Sequence, residues 1–519
     1  MASTQRLLSL LVLAGAGVAA TMAIALPKVF QKRKKVGRFG LFYQEHTCPW
    51  ENYITLLPDD ILCHIISYLD MKDAVRTSVL SRRWRKIYCT LPNPKFECPK
   101  MFEFETVIGK ILEFVSLTEH NNWHCNYKQR FVTVVDTYLC LRSGRPMESF
   151  TLRFGLMSEF PEHLRRWLNC IIRLGVRKLD LNFCCNDELL KIPQSELIVF
   201  PFKVLLSSFV LEYVQLSYGI LQSNFLGTSN FLGTSNSLKE LTLDFVPLVN
   251  GEVESILSSC PQLRLLDLKY CELPYKLLVN AIELRTLKIL FCEQVREIGF
   301  SAPNLDFFDY YGNCALSFFP SYVPNLRRLY LDFKYHNGPP HGVGCFIHGA
   351  PCLNALWIQA FPYQVRHIQT EMPTLWNLHT LALHVIKGSL DLRDIISLIA
   401  VCPNLSKFEL STPVCSLSYT ERDEEVLPTC VHLKLVVLDG FKFDAAQKKF
   451  VSQLIRCAPA LEEMNLYTAY FLYHLGEKVE KTLPLKRRVF SHQLISRTKQ
   501  QLQHQASSSS VIVNISRGN

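Results

Sequence analysis

The sequence predicts an α/β chain: a short three-helix module, then a solenoid of repeated coils with a parallel sheet on its concave wall, preceded by an N-terminal hydrophobic helix. Three observations carry this expectation. An apolar triplet returns every 21 to 28 residues, an amphipathic stretch starts at Leu57, and an uncharged run extends from Leu7 to Leu26. With 519 residues, 48 % apolar and 20 % charged, the chain can bury a large core and is too apolar for wholesale disorder.

Charge and cysteine usage narrow the function classes. The net charge is +10, but residues 1–40 hold seven Lys/Arg and no acid, and the stretch from Glu477 onward holds eight basic residues against two acidic. The span between is mildly acidic, which argues against phosphate-backbone binding and leaves nucleic acid out of the expected partners. Nineteen cysteines without a CxxC pair fit neither a zinc site nor a disulfide framework. They read as free thiols in a reducing compartment, cytosol or nucleus.

Leu7–Leu26 matches the roughly 20 apolar residues that span a bilayer. Lys28, Lys32, Arg33, Lys34, Lys35 and Arg38 follow it, so the positive-inside rule leaves the body facing the cytosol. A cleaved leader ending at Ala23-Ile24-Ala25 and an import cluster at Lys32–Lys35 are the alternatives.

In Leu57–Leu69, Pro58 suits a first helical turn, and Asp59 and Asp60 suit the positive end of the helix dipole. Ile61, Leu62, Ile65, Ile66 and Leu69 recur at helical spacing. A second short helix is expected over Asp73–Leu80, and Ser81 is placed to cap a third from Arg82. Three helices in about forty residues bury little surface, so the module should gain stability by docking. The run LPDDILCHIISYLDMKDAVRTSVLSRRWRKIY, Leu57 to Tyr88, resembles an F-box of the plant F-box/leucine-rich-repeat family. The resemblance implies docking on the Skp-type adaptor of a cullin-based ubiquitin ligase. Carried onto this chain, it names Leu57, Pro58, Ile61, Leu62, Ile65, Leu69, Leu80 and Trp84 as adaptor-binding residues.

Beyond the module the template L-x-x-L-x-L recurs from Leu238/Leu241/Leu243 to Leu461/Met464/Leu466 in ten strong copies. Weaker copies precede them at Met147, Val176 and Leu211. The second and third apolar positions, two apart, share one side of a strand, so each coil should stack on its neighbour. Cys184, Cys271, Cys292 and Asn313 fall eight residues after a first apolar position. In leucine-rich repeats, which this region resembles, that residue bonds the turn leaving the strand. Glu252–Leu257 and Leu392–Ala400 read as helices, each followed by Cys-Pro-x-Leu that ends the helix and opens the next strand. His432–Phe441, a helix over Ala445–Cys457 and Ala458–Leu466 resemble the FBD region that closes members of the family.

The chain therefore divides into an anchor or targeting segment (1–40), an F-box (54–96), a helical linker (97–145), repeats (146–430), FBD-like repeats (431–470) and a basic, solvated tail (471–519). The tandem NFLGTS over Asn224–Ser235 reads as a widened loop, and Asp423-Glu424-Glu425 as a solvated one.

No P-loop, nucleophile elbow, dinucleotide fingerprint or H-E-x-x-H occurs. His341, Cys345 and His348 lack a third ligand or an orienting carboxylate at matching spacing and read as a turn opening a repeat helix. No catalytic residue, metal site or cofactor is expected. In each strand the side chain before the last apolar position faces away from the core: Asp267, Lys288, Asp309, Tyr330, Trp357, Ala382 and Glu409 form that column. Tyr330 and Trp357, with Phe307, Arg327 and Arg328 in adjoining columns, have the composition of a protein-binding hot spot. The resemblance implies a non-catalytic substrate receptor, with the F-box on the adaptor, cullin beyond it, and a target protein on the repeats. The alternative is a membrane-tethered interaction scaffold with no role in ubiquitin transfer.

Overall fold

The computed structural model describes residues 56–97, 117–222 and 234–516, apart from 79, 143–145, 156–158, 185–196, 313–315, 320–321, 334–337, 413–414, 419–428, 469–471, 475–476, 480–491 and 506–510. The expected anchor at Leu7–Leu26, nearly all of the NFLGTS tandem, Asn313, Asp423–Glu425 and Lys486–Arg488 lie outside the described residues. Among the described residues no helix is long and apolar enough to cross a membrane. The chain forms two compact units, 1–222 and 223–519.

The first unit opens with three short helices, α1 (Asp59–Ser67), α2 (Met71–Thr77) and α3 (Arg82–Tyr88). The caps expected from composition are in place: Asp70 Oδ1 accepts from the Asp73 N–H at 2.8 Å, and Ser81 Oγ from the Trp84 N–H at 3.3 Å. Arg83 ties α3 back to α1, reaching Asp59 at 2.7 Å and donating to the Leu57 carbonyl. A strand at Lys95–Glu97 follows, then α4 (Leu117–Leu141) and three strands, Ser149–Arg153, Lys178–Asn182 and Tyr213–Ser217. Helices α5 (Pro161–Arg173) and α6 (Phe202–Leu206) fill the crossovers. All four strands run parallel, with Thr151, Asp180 and Gln215 level across them. Buried Arg142 locks the end of α4 to the chain leaving α3, donating to the carbonyls of Cys89, Leu91 and Pro146 at 3.2, 2.7 and 2.8 Å. Asp136 pins α4 to α5, accepting from the Trp167 indole at 2.7 Å.

In the second unit the apolar triplets become strands. Eleven run parallel in sequence order: 240–244, 265–269, 286–290, 307–312, 328–333, 355–360, 380–385, 407–411, 435–439, 463–467 and 512–516. Register follows the triplet without slippage. Leu241, Leu266, Leu287, Phe308, Leu329, Leu356, Leu381, Phe408, Val436 and Met464 lie level in one buried row. Burying each such side chain contributes about 1.5–3 kcal/mol, and the gain exists only when the neighbouring coil is present.

Coil length decides what fills the return path. The 21-residue coils between Leu263 and Leu326 return through short strands, Lys276–Asn280, Glu297–Ser301 and Ser317–Phe318, which form a second parallel sheet. Coils of 25 to 28 residues have room for helices: α7 (Glu252–Ser259), α8 (Val343–His348), α9 (Pro362–Glu371), α10 (Leu392–Ala400) and α11 (Ala445–Cys457). Buried Cys271 and Cys292 bond the strand ends, Cys271 Sγ donating to the Leu243 and Lys269 carbonyls at 3.4 and 3.3 Å. An asparagine ladder adds to this. The side-chain amides of Asn304, Asn325, Asn377 and Asn404 donate to carbonyls of the preceding coil at 2.7–3.0 Å.

The expectation of a solvated tail over 471–519 is corrected. Helix α12 (His492–Gln505) and the strand Ile512–Ser516 add one more coil, parallel to Glu463–Tyr467. Val511, Val513 and Leu502 are buried, and Gln503 bonds the Val511 carbonyl and the Val513 N–H. Polar composition hid these few apolar anchors.

Candidate functional site

Two surfaces stand out, one in each unit. In the helical module the apolar residues named from the sequence separate into two sets. Leu62, Ile65 and Trp84 fill the module's own core with Ile66, Met71, Ala74 and Ile87, and their side chains are not on offer to a partner. Leu57 and Leu69 are half-buried, and Pro58 is exposed. Ile61 is 40 % exposed and Leu80 48 %, joined by Tyr68 at 48 % and Leu56 at 78 %. The reason is geometric: the apolar stripe of α1 is wider than the contact α2 and α3 make with it. Its inner part is core and its outer part is left as surface. Leu56 and Tyr68 are exposed residues the sequence reading passed over; both flank the stripe it had identified.

On the strand wall, registration brings the named residues together. Tyr330 and Trp357 sit level on adjacent strands, and their rings stack with centroids 4.1 Å apart and planes 5° from parallel. Phe307 meets Tyr330 edge-on at 5.2 Å, and the Arg328 guanidinium lies 4.9 Å above the Phe307 ring while pairing with Asp306 at 2.8 Å. Arg327, one residue before the strand, is largely exposed and 3.8 Å from Asp306. The three rings are half-buried.

The same column corrects one expectation. Asp267, Asp309, Ala382 and Glu409 point away from the apolar core and are nevertheless buried, because strands about 4.8 Å apart let neighbouring side chains cover one another. Burial pushes the Asp309 carboxyl up to about 6; nearby Lys288 opposes the shift and Asp267 adds to it. Asp244, in the next column, is raised to about 6 for the same first cause, against Lys269. Asp309 lies level with Tyr330, beside the aromatic cluster.

A further feature was passed over in the sequence. Phe245, Tyr270 and Phe291, each directly after a strand, adopt left-handed backbone with φ of 52°, 50° and 59°. Their rings stack in a ladder at 4.6 and 4.4 Å that continues to Tyr311 at 4.1 Å. A left-handed aromatic residue costs roughly 1–2 kcal/mol, and ring stacking offsets about 0.5–1.5 kcal/mol per pair. The signal was available: aromatics recurring at the repeat period, one place beyond each strand.

Cys345, which invited a catalytic reading, is an exposed free thiol on α8. Both surfaces offer apolar side chains to a partner.

Both surfaces fall within segments that match known families. The F-box domain profile matches residues 54–93, and the profile described as the At1g61320/AtMIF1 LRR domain matches residues 139–497. Among Arabidopsis thaliana proteins, the chain is similar to putative F-box protein At3g58860, 24 % identical over 79 % of this chain and 87 % of that one. Putative F-box/LRR-repeat protein At3g58880 is 24 % identical over 80 % and 91 % of the two chains. F-box/LRR-repeat protein At4g14096 is 26 % identical over 55 % of each.

Proposed function

Because the chain belongs to the F-box/leucine-rich-repeat family, we propose that it is the substrate-receptor subunit of a cullin-type ubiquitin ligase. In this reading the F-box holds the Skp-type adaptor and, through it, cullin; the strand wall holds a target protein. The observation that carries it is the exposure of four apolar side chains, Leu56, Ile61, Tyr68 and Leu80, on a module whose core is already filled. Such side chains suit helix-face docking, where a few well-buried apolar anchors dominate the binding energy. The protein's contribution to ubiquitin transfer is then positional. It raises the local concentration of a target near the transfer machinery and makes no bond itself. The aromatic and arginine cluster of Phe307, Arg327, Arg328, Tyr330 and Trp357 is the target-binding centre in this account. Cytosol or nucleus is the compartment that free thiols favour, with Leu7–Leu26 as a cytosol-facing anchor.

Co-purification with adaptor and cullin tests the reading. Ile61→Asp/Leu80→Asp alters exposed positions alone and should abolish adaptor capture while the fold, followed by circular dichroism, persists. Leu57→Ala/Pro58→Ala should weaken it. A folded wild-type chain that captures no adaptor would leave the membrane-tethered scaffold as the better account.

A further inference from the structure

The turn entering α8 and the last turn of α9 bring two imidazoles and a carboxylate to one place. His341, His367 and Glu371 each present a ligand atom there, all within 4.8 Å of one another. His367 and Glu371 are four residues apart on α9 and so share a face, with Nε2 and Oε1 separated by 3.3 Å. The His341 ring stands edge-on to that of His367, centroids 5.1 Å apart. His367 Nε2 and Glu371 Oε2 are both shielded from solvent and have no hydrogen-bond partner.

The backbone is built for this approach. His341 is held by hydrogen bonds on both sides, its N–H to the Leu316 carbonyl at 2.9 Å and its carbonyl from the Phe318 N–H at 2.9 Å. Gly342 follows at φ 70°, where any Cβ would overlap the Phe318 carbonyl. At Gly344 a Cβ would overlap the carbonyl oxygen of Glu371. Gly344 therefore lets α8 close on the end of α9 at Glu371, while Gly342 lets the turn carrying His341 close on Phe318 of the coil before.

We propose that His341, His367 and Glu371 bind a divalent transition-metal ion of the zinc class, clamping two consecutive coils of the solenoid. Tetrahedral zinc holds nitrogen and oxygen ligands at about 2.0–2.2 Å, which sets neighbouring ligand atoms roughly 3.4 Å apart. The His367–Glu371 pair already has that spacing, and the ligand atom of exposed His341 lies within 4.8 Å of both. Two imidazoles select against calcium and magnesium, which take oxygen ligands, and favour zinc, cobalt, nickel or copper. Three protein ligands leave a fourth position for water. Spacing along the chain could not show this site, because His341 lies one coil before the other two ligands.

The test uses the full-length chain, stripped with a chelator and equilibrated with Zn²⁺ or Co²⁺ alone. Metal content by elemental analysis should be about one ion per chain, and Co²⁺ should show tetrahedral visible absorption without a thiolate charge-transfer band. His367→Ala and Glu371→Gln should each weaken uptake at least about tenfold, with Glu371→Gln conserving shape so that loss is not a folding defect. His348→Ala, on the neighbouring helix, should leave uptake unchanged. Sub-stoichiometric uptake by the wild type, uptake that survives both ligand variants, or Co²⁺ bound only through thiolates would each overturn the proposal. The His367–Glu371 contact would then be an ordinary ion pair.

Discussion

Tyr330 and Trp357 stand level on adjacent parallel strands, their rings 4.1 Å apart and 5° from parallel. They are 27 positions apart in sequence, and one turn of the solenoid makes them neighbours. With Phe307 edge-on and Arg328 over its face, they form a preorganised apolar platform with a charged margin. A rigid aromatic pair loses little side-chain entropy on binding, which is why such pairs anchor interfaces.

Trp357→Ala should therefore lower target affinity by about 2 kcal/mol or more. Tyr330→Ala should act in the same direction, and the pair should be less than additive because the rings support each other. Titration of captured target against wild type and variants measures this. Unchanged affinity in the double variant would remove the cluster from the binding surface.

Asp309 makes stability depend on pH in a stated direction. The residue is 3 % exposed, and its carboxyl pKa is raised from 3.8 to about 6. The folded chain therefore holds more protons than the unfolded chain between those values, and the group's contribution falls as pH rises through the window. Above pH 6 the buried charge is a cost. Asp309→Asn should raise stability at pH 7 by roughly 1–3 kcal/mol, and the difference should vanish below about pH 4. Urea unfolding of both chains at pH 4 and 7 would show it; a variant equally destabilised at both would contradict it.

The last coil predicts what truncation does. Removing residues 492–519 uncovers the edge of Glu463–Tyr467 and the apolar residues that Leu502, Val511 and Val513 cover. An exposed strand edge templates association. The truncated chain should melt earlier and aggregate on light scattering, whereas loss of a solvated tail would change neither.

Much of this architecture is legible in sequence because repetition amplifies a weak signal. One L-x-x-L-x-L triplet means little, but ten in rhythm fix strand positions, register and the side each residue faces. Helices at Glu252–Ser259 and Leu392–Ala400 sit where Cys-Pro punctuation placed them, and Ala445–Cys457 sits where the family resemblance placed it. Burial was not legible within an element. In α1, Ile61 and Leu62 are adjacent and equally apolar, yet one is 40 % exposed and the other fully buried. Only the docking of α2 and α3 tells them apart. The last coil was missed because its anchors are few and set among glutamines and serines.

The sequence by itself determined the period, the parallel strands, the two-part organisation and the aromatic column, since each follows from spacing along one chain. Tertiary structure alone decided which apolar residues of the F-box remain at the surface, which column carboxylates lose water, and that His341 meets His367 and Glu371. These depend on how closely separate segments approach, and that distance is set by packing between coils, where a single glycine or one covering side chain changes the outcome.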